Sequence, residues 1–160
     1  LLLREADIAV RMYRPDQLDV IAKHIGDMHM GMFASRTYIA RHGMPKGIDK
    51  ISGHEFIGYV ENPAIIEGMK ELGLDIDRHF FKTRSDQQAV HWELARAGCG
   101  IGFTQLRTGR MDRDMVQVLP EVPISTLPFW LTAPEALRTN PRIRRVFDLL
   151  VAALSDVVDA

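Results

Sequence analysis

The sequence predicts an α/β protein of two lobes, and three observations carry that expectation. Short apolar stretches rich in β-branched and aromatic residues recur along the chain, and helix-spaced segments lie between several of them. The middle of the chain supplies a complete set of strands and helices, whereas its two ends supply a partial one. Ends of that kind meet in one lobe and leave the middle to form the other, with a ligand expected in a cleft at the strand ends.

In chain order, Leu1-Leu2-Leu3-Arg4-Glu5 reads as the last turn of a helix, so a segment is expected before Leu1, and Ile8 to Val10 reads as the strand that follows. Further strands are expected over Met28 to Ala34, Phe56 to Val60, His79 to Lys82, Ile101 to Thr104, Met115 to Leu119 and Phe129 to Thr132. A short helix covers about Arg36 to Arg41 before Gly43, and a second, Ala64 to Leu72, closes at Gly73. The clearest helix runs from about Asp86 to Ala97, with Ala89 or Val90, Leu94 and Ala97 at helical spacing and Gly98 as its stop. Ser85 followed by Gln88 forms a capping-box pattern at its start. The last helix, Pro141 to Val158, opens on Thr139-Asn140-Pro141, a cap with an N1 proline. It aligns Ile143, Val146, Phe147, Leu150 and Leu154 on one apolar face that needs a sheet to cover.

Composition narrows the function. A chain of 160 residues, 46% of them hydrophobic, buries an ordinary core. Lys and Arg number 20 against 21 Asp and Glu, so the positive field that nucleic-acid binding demands is missing and any DNA contact is expected from another segment. Cys99, the single cysteine, lies between Gly98 and Gly100 and reads as a small buried residue; without a disulfide framework, the bacterial cytoplasm is the expected compartment. No apolar run approaches the roughly 18 to 20 residues that cross a bilayer, and the charged start does not read as a signal peptide.

Several stretches come in the order shown by one family. They are Arg4-Glu5-Ala6-Asp7-Ile8-Ala9-Val10-Arg11, Ile25-Gly26-Asp27 before the Met28 strand, and Tyr38-Ile39-Ala40-Arg41-His42-Gly43-Met44-Pro45. Gly53-His54 before Phe56-Ile57-Gly58-Tyr59, Ala97-Gly98-Cys99-Gly100-Ile101-Gly102, Val116-Gln117-Val118-Leu119-Pro120, and Pro141-Arg142-Ile143-Arg144 through Leu154 follow. Over essentially its whole length the chain resembles the LysR-type transcriptional regulators. The resemblance implies an effector-binding domain of two Rossmann-like lobes, similar to type 2 periplasmic binding proteins, with the first lobe incomplete at its N-terminal side. Residues 28–122 would form the second lobe, and 1–27 with 123–160 part of the first. It also implies a small organic effector, an acid among the options, self-association as a dimer or tetramer, and promoter DNA reached only through a winged helix-turn-helix outside this chain.

Eight residues are candidate ligand contacts. Arg11 ends a strand where a guanidinium can clamp a carboxylate, or equally stand at the surface or in a hinge ion pair. Tyr59, Val60 and Glu61 end a central strand where the resemblance places the pocket wall, although Tyr59 also suits core packing. Thr83 and Ser85 flank a helix N-terminus able to hold an anion, but capping alone accounts for Ser85, and Asp86 would repel an anion there. Phe103 and Thr104, with Gln105, stand where the family commonly has apolar residues followed by proline; the polar groups suggest a hydrogen-bonded effector. Trp92 reads as packing between elements.

No metal, cofactor or catalytic residue is expected. His24 and His29 have no second pair at ligand spacing, Cys99 has only glycines beside it, and no nucleophile elbow, P-loop or dinucleotide fingerprint occurs. Arg138, Arg142, Arg144 and Arg145 read as the solvated side of the last helix. The first reading is therefore a ligand-gated regulator domain. The alternative is a solute-binding protein serving a transporter, and a third reading, an enzyme of small acids such as a deaminase or dehydratase, lacks a recognisable acid, base and nucleophile set.

Overall fold

The structure is a computed structural model that describes residues 6–17, 19–135 and 139–158. The helical turn expected at Leu1 to Glu5, and Arg138, lie outside the described residues. The chain divides into two compact units, one comprising residues up to His29 and from Thr126 onward, the other Met30–Ser125.

In the first unit β8 (Leu127–Pro134) lies between β1 (Ala9–Arg11) and β2 (Val20–Met28), antiparallel to both. The whole of β2 except its last residue is unexpected from sequence. A bulge between His24 and Gly26 shifts its register, so the alternation that marks a half-buried strand breaks in the middle. Gly26 sits at φ +157, and a Cβ there would lie 2.5 Å from Val158 Cγ1, so glycine is what lets the end of α5 (Pro141–Val158) close on β2. Asn140 starts that helix as expected, its Oδ1 accepting from the Arg142 and Ile143 amides at 3.0 and 3.4 Å. Leu154 and Val158 pack with Met28 and Phe129. Ile143, Phe147 and Leu150 are half-buried, but Val146, expected on the apolar face, is 47% exposed. It lies at the margin of the stripe.

The second unit has a sheet ordered β6 (Gly102–Gln105), β3 (Met30–Ser35), β7 (Met115–Val118), all antiparallel. A parallel pair, β4 (Ile57–Gly58) and β5 (Thr83–Arg84), joins it through a parallel bridge from Phe56 to Ile101. The strand expected over His79 to Lys82 is instead a 3-10 turn at Arg78–Phe80, with Asp77 accepting from the His79 amide at 2.8 Å; the strand follows at Thr83. Local side-chain capping here outcompetes the aromatic β-propensity of Phe80 and Phe81. Helices α1 (Arg36–His42) and α2 (Ala64–Glu71) fall where expected, and Ser35 caps α1 through the Tyr38 amide. A short helix α4 (Leu106–Met111) and a 3-10 segment at Ile48–Gly53 carry no clear periodicity in the sequence.

Helix α3 (Gln88–Arg96) corrects the expected capping box. It begins at Gln88 rather than Asp86, and the Gln88 side chain does not return to Ser85. Ser85 Oγ accepts from the Gln87 amide at 3.2 Å in a local turn, and both ends of the Gln88 amide bond elsewhere. At the other end Gly98 takes φ +80, turning Gly98 and Gly100 inward, so Cys99 is exposed rather than buried.

The core of this unit has two parts. Met32, Tyr38, Phe56, Phe81, Ile101 and Val118 belong to one; Phe33, Ile57, Ala95 and Met115 belong to the other, with Trp92 packed against it edge-on to Phe33. Trp92 thus packs between elements as expected. Two glycines permit the close approaches. A Cβ on Gly102 would fall 2.9 Å from Ala95 Cβ, and one on Gly109 would overlap the Phe33 ring. His91, fully buried on α3, accepts from the Phe103 amide through Nε2 at 3.1 Å, which places its proton on Nδ1. Burial pulls its pKa down to about 4, so the imidazole is neutral at physiological pH.

Two predictions follow from this packing. The unfolded chain protonates His91 near its ordinary value of 6.5 and the folded chain only near 4, so the unfolded state binds more protons between those limits. The contribution, roughly 3 kcal/mol, is complete above pH 6.5 and lost as pH falls toward 4. The urea midpoint should therefore drop more steeply from pH 6.5 to 4.5 in the wild type than in His91→Gln; equal slopes would contradict the assignment. Gly109→Ala should cost about 1–3 kcal/mol by overpacking against the buried Phe33 ring, whereas Gly53→Ala, whose added methyl meets nothing within 4 Å, should leave the midpoint unchanged.

Candidate functional site

Because β4 and β5 are parallel, and Phe56 and Ile101, the residues just before β4 and β6, are bridged in parallel, the carboxyl ends of these segments face one edge of the second unit. In open α/β sheets that edge is where ligands bind. Seven of the eight expected contacts belong to this unit, namely Tyr59, Val60, Glu61, Thr83, Ser85, Phe103 and Thr104. Arg11 belongs to the first. There its Nη1 donates to the Tyr13 hydroxyl at 3.2 Å, and it lines a small pocket of about 30 Å³ with Tyr13, Asp16 and Thr132.

Three residues, Ser85, Asp86 and Gln88, organise the strand ends through their hydrogen bonds. Thr83 and Arg84 lie in register with Ile57 and Gly58, and the Ser85 amide donates to the Gly58 carbonyl at 3.0 Å, extending the pairing past the strands. Beyond it, the Asp86 carboxylate accepts from the Val60 amide at 2.9 Å and the Glu61 amide at 3.2 Å, which ties the segment after β4 to the one after β5. Asp86 is therefore neither helix-capping nor a bystander. It occupies two exposed backbone amides at this edge. The third residue, Gln88, makes two bonds: it accepts from the Tyr59 hydroxyl at 2.9 Å and donates to the Phe103 carbonyl at 3.0 Å.

The burial of the candidates differs. Phe103 and Thr104 are buried, Phe103 against Phe56 and Thr104 in register with Gly31, and the backbone of Phe103 is held at both ends by α3. Tyr59, Thr83 and Ser85 are half-buried, while Val60 and Glu61 are exposed. The Tyr59 ring lies 5.3 Å from the His91 ring, and burial, with the Asp86 charge adding to it, pushes its phenol above the ordinary range. The accessible groups are thus a phenol, two hydroxyls and the Glu61 carboxylate beside a neutral, buried imidazole.

Sequence reasoning missed Asp86 as a latch, Gln88 as a bridge and His91 as a buried acceptor. The Ser85/Gln88 spacing drew both residues into a capping box, and the histidines were weighed as metal ligands alone. Among the described residues no group of three or more His, Cys, Asp or Glu is placed to hold a metal ion, and no helix is long and apolar enough to cross a membrane. No serine or threonine hydroxyl described at this edge is hydrogen-bonded to a histidine or a carboxylate.

Comparison with known proteins agrees with this architecture. The LysR substrate binding domain family matches residues 1–155. The HTH-type transcriptional regulator CrgA of Neisseria meningitidis (serogroup C, strain 8013) is 27% identical over 164 residues, covering 98% of this chain and 54% of the relative. The chain thus spans about half the length of the curated relatives it matches. The structure of the CrgA regulatory domain superposes with a TM-score of 0.78 at 26% identity, covering 96% of this chain and 78% of that one. An effector binding domain from Citrobacter freundii (TM-score 0.72, 19% identity, 92% and 75% covered) shares the fold. So does the regulatory domain of AphB from Vibrio vulnificus (TM-score 0.65, 17% identity, 92% and 75% covered). CrgA is a transcriptional regulator by name, and this chain belongs to the LysR substrate binding domain family.

Proposed function

We propose that this chain is the effector-sensing and self-associating part of a bacterial, cytoplasmic LysR-type regulator, and that a small organic molecule binds at the strand-end edge of the second unit. Promoter DNA is contacted by a segment outside the chain, whose own charge is nearly balanced. In this reading residues 28–122 act as one lobe and residues 1–27 with 123–160 as part of the other. The observation that carries the proposal is the Tyr59–Gln88–Phe103 bridge beside the Asp86 latch. Together they tie the segments after β4 and β5 to each other and to β6 by side-chain bonds that a ligand can exchange for its own. A ligand hydrogen-bonded to Tyr59 or Ser85 competes with those bonds and shifts the balance between two arrangements of the edge. Membership of the regulator family favours this over a transporter's solute-binding protein.

Two measurements test the proposal. In a thermal-shift screen of small metabolites, a molecule that raises the wild-type melting temperature should lose most of that effect against the Tyr59→Phe, Ser85→Ala double variant. An undiminished shift would move the site elsewhere, and a screen without any responder would count against sensing. Sedimentation over the micromolar range should give a mass of at least two chains; a mass of one chain at every concentration would refute self-association.

A further inference from the structure

The Tyr38 hydroxyl joins helix α1 to the segment that enters β4. Tyr38 is buried; its oxygen accepts from the Glu55 amide at 2.8 Å and lies 3.3 Å from Nδ1 of His54. A phenol has one proton to give, and His54 Nδ1 is its acceptor among the described residues. The His54 imidazole therefore carries its proton on Nε2 and leaves Nδ1 bare. Burial raises the Tyr38 phenol above its ordinary value, so the hydroxyl keeps its proton through the acid and neutral range. Glu55 is in turn tied to the β6 side of the sheet. Its carbonyl accepts from the Ile101 amide at 2.8 Å, and the Ile57 amide donates to the Ile101 carbonyl at 2.9 Å. The approach to β6 is close: a Cβ on Gly100 would fall 2.7 Å from the Glu55 carbonyl oxygen. The start of β4 is thus held by β6 on one side and by α1, through Tyr38, on the other.

Protonation of His54 turns Nδ1 from an acceptor into a donor. The Tyr38 proton then has nowhere to go, and a buried donor without a partner is costly. The surrounding charges do not offset that cost. His42, one turn after Tyr38 on α1, stacks on the Tyr38 ring at 4.5 Å and 20°, and its charge opposes that of His54. Arg41, on the same helix, adds a further positive charge near Tyr38. The Glu55 carboxylate is paired with Lys82, and no ion pair among the described residues includes His54. On the preceding 3-10 segment Asp49 and Lys50 are exposed and opposite in sign. Burial first, and then the His42 charge, accordingly hold His54 below its ordinary value of 6.5. We propose that His54 is an acid-sensitive switch in the second unit: neutral, it fixes the Tyr38 hydroxyl on the start of β4; protonated, it releases that hydroxyl and with it the Glu55 amide. An open form takes up the proton near 6.5 and the closed form only lower. The closed form is therefore fully favoured above that value and loses ground as pH falls through the depressed one. The switch needs no ligand and stands independently of what the strand-end edge binds.

The test follows the histidine ring nitrogens by NMR as the full chain is titrated, and measures amide hydrogen exchange at about pH 7.5 and about pH 5, where His91 is still neutral. His54 should rest with its proton on Nε2 and titrate below 6.5. Across that titration the protection of the Glu55 amide should fall about fivefold more than that of the Phe103 amide, which His91 holds. In His54→Asn, whose carbonyl can accept the Tyr38 proton but does not titrate, this extra loss should vanish. In His42→Gln, with the like charge removed, the His54 titration should move to higher pH. The proposal is overturned if His54 rests with its proton on Nδ1, if it titrates at or above 6.5, or if Glu55 loses protection alike in wild type and His54→Asn. Should His54→Asn not fold, the wild-type tautomer and the His42→Gln titration decide, and a titration unmoved by His42→Gln overturns the proposal.

Discussion

The close approach of α3 to β6 is the constraint on which the second unit depends. It exists because Gly102 has no Cβ to meet Ala95, and because His91 places an acceptor where the Phe103 amide needs one. A buried amide without a partner would be costly, so the imidazole must stay neutral and in one tautomer. Burial ensures the first and the Phe103 bond the second. One turn earlier on the same helix, Gln88 reaches the Phe103 carbonyl and the Tyr59 hydroxyl. The packing of a helix on a strand thereby sets the positions of polar groups at the strand-end edge.

That edge is held by exchangeable bonds rather than by apolar burial. Behind it, Phe56, Phe81 and Ile101 are all but inaccessible, whereas Val60, Glu61 and Asp86 are exposed and meet through hydrogen bonds. Exposed hydrogen bonds contribute little net stability and open readily. A rigid core under an edge of low local stability is the physical arrangement that lets a small ligand alter a conformational balance without unfolding the protein that carries it.

Helices were legible in the sequence where caps and apolar spacing agreed. Asn140-Pro141 and the Ile143 to Leu154 stripe placed α5, and Gly43 marked the end of α1. Strand β2 was illegible because the Gly26 bulge breaks its alternation, and β5 was displaced because Asp77 captures the aromatic run in a 3-10 turn. The site was partly legible. Tyr59 to Glu61 and Ser85 follow directly on β4 and β5, which end at Gly58 and Arg84, yet the capping-box spacing concealed the long-range roles of Asp86 and Gln88. Those bonds span 25 to 29 residues, and no local pattern encodes them.

The central claim is that a small organic molecule binds at the carboxyl ends of β4 and β5. Amide chemical-shift mapping of the chain, titrated with a molecule identified by thermal shift, tests it most directly. The account predicts that the largest perturbations fall on Tyr59, Val60 and Glu61 and on Ser85 to Gln88, with a weaker effect carried through His91 to Phe103. Saturating perturbations elsewhere in the chain, with those amides unmoved, would contradict it.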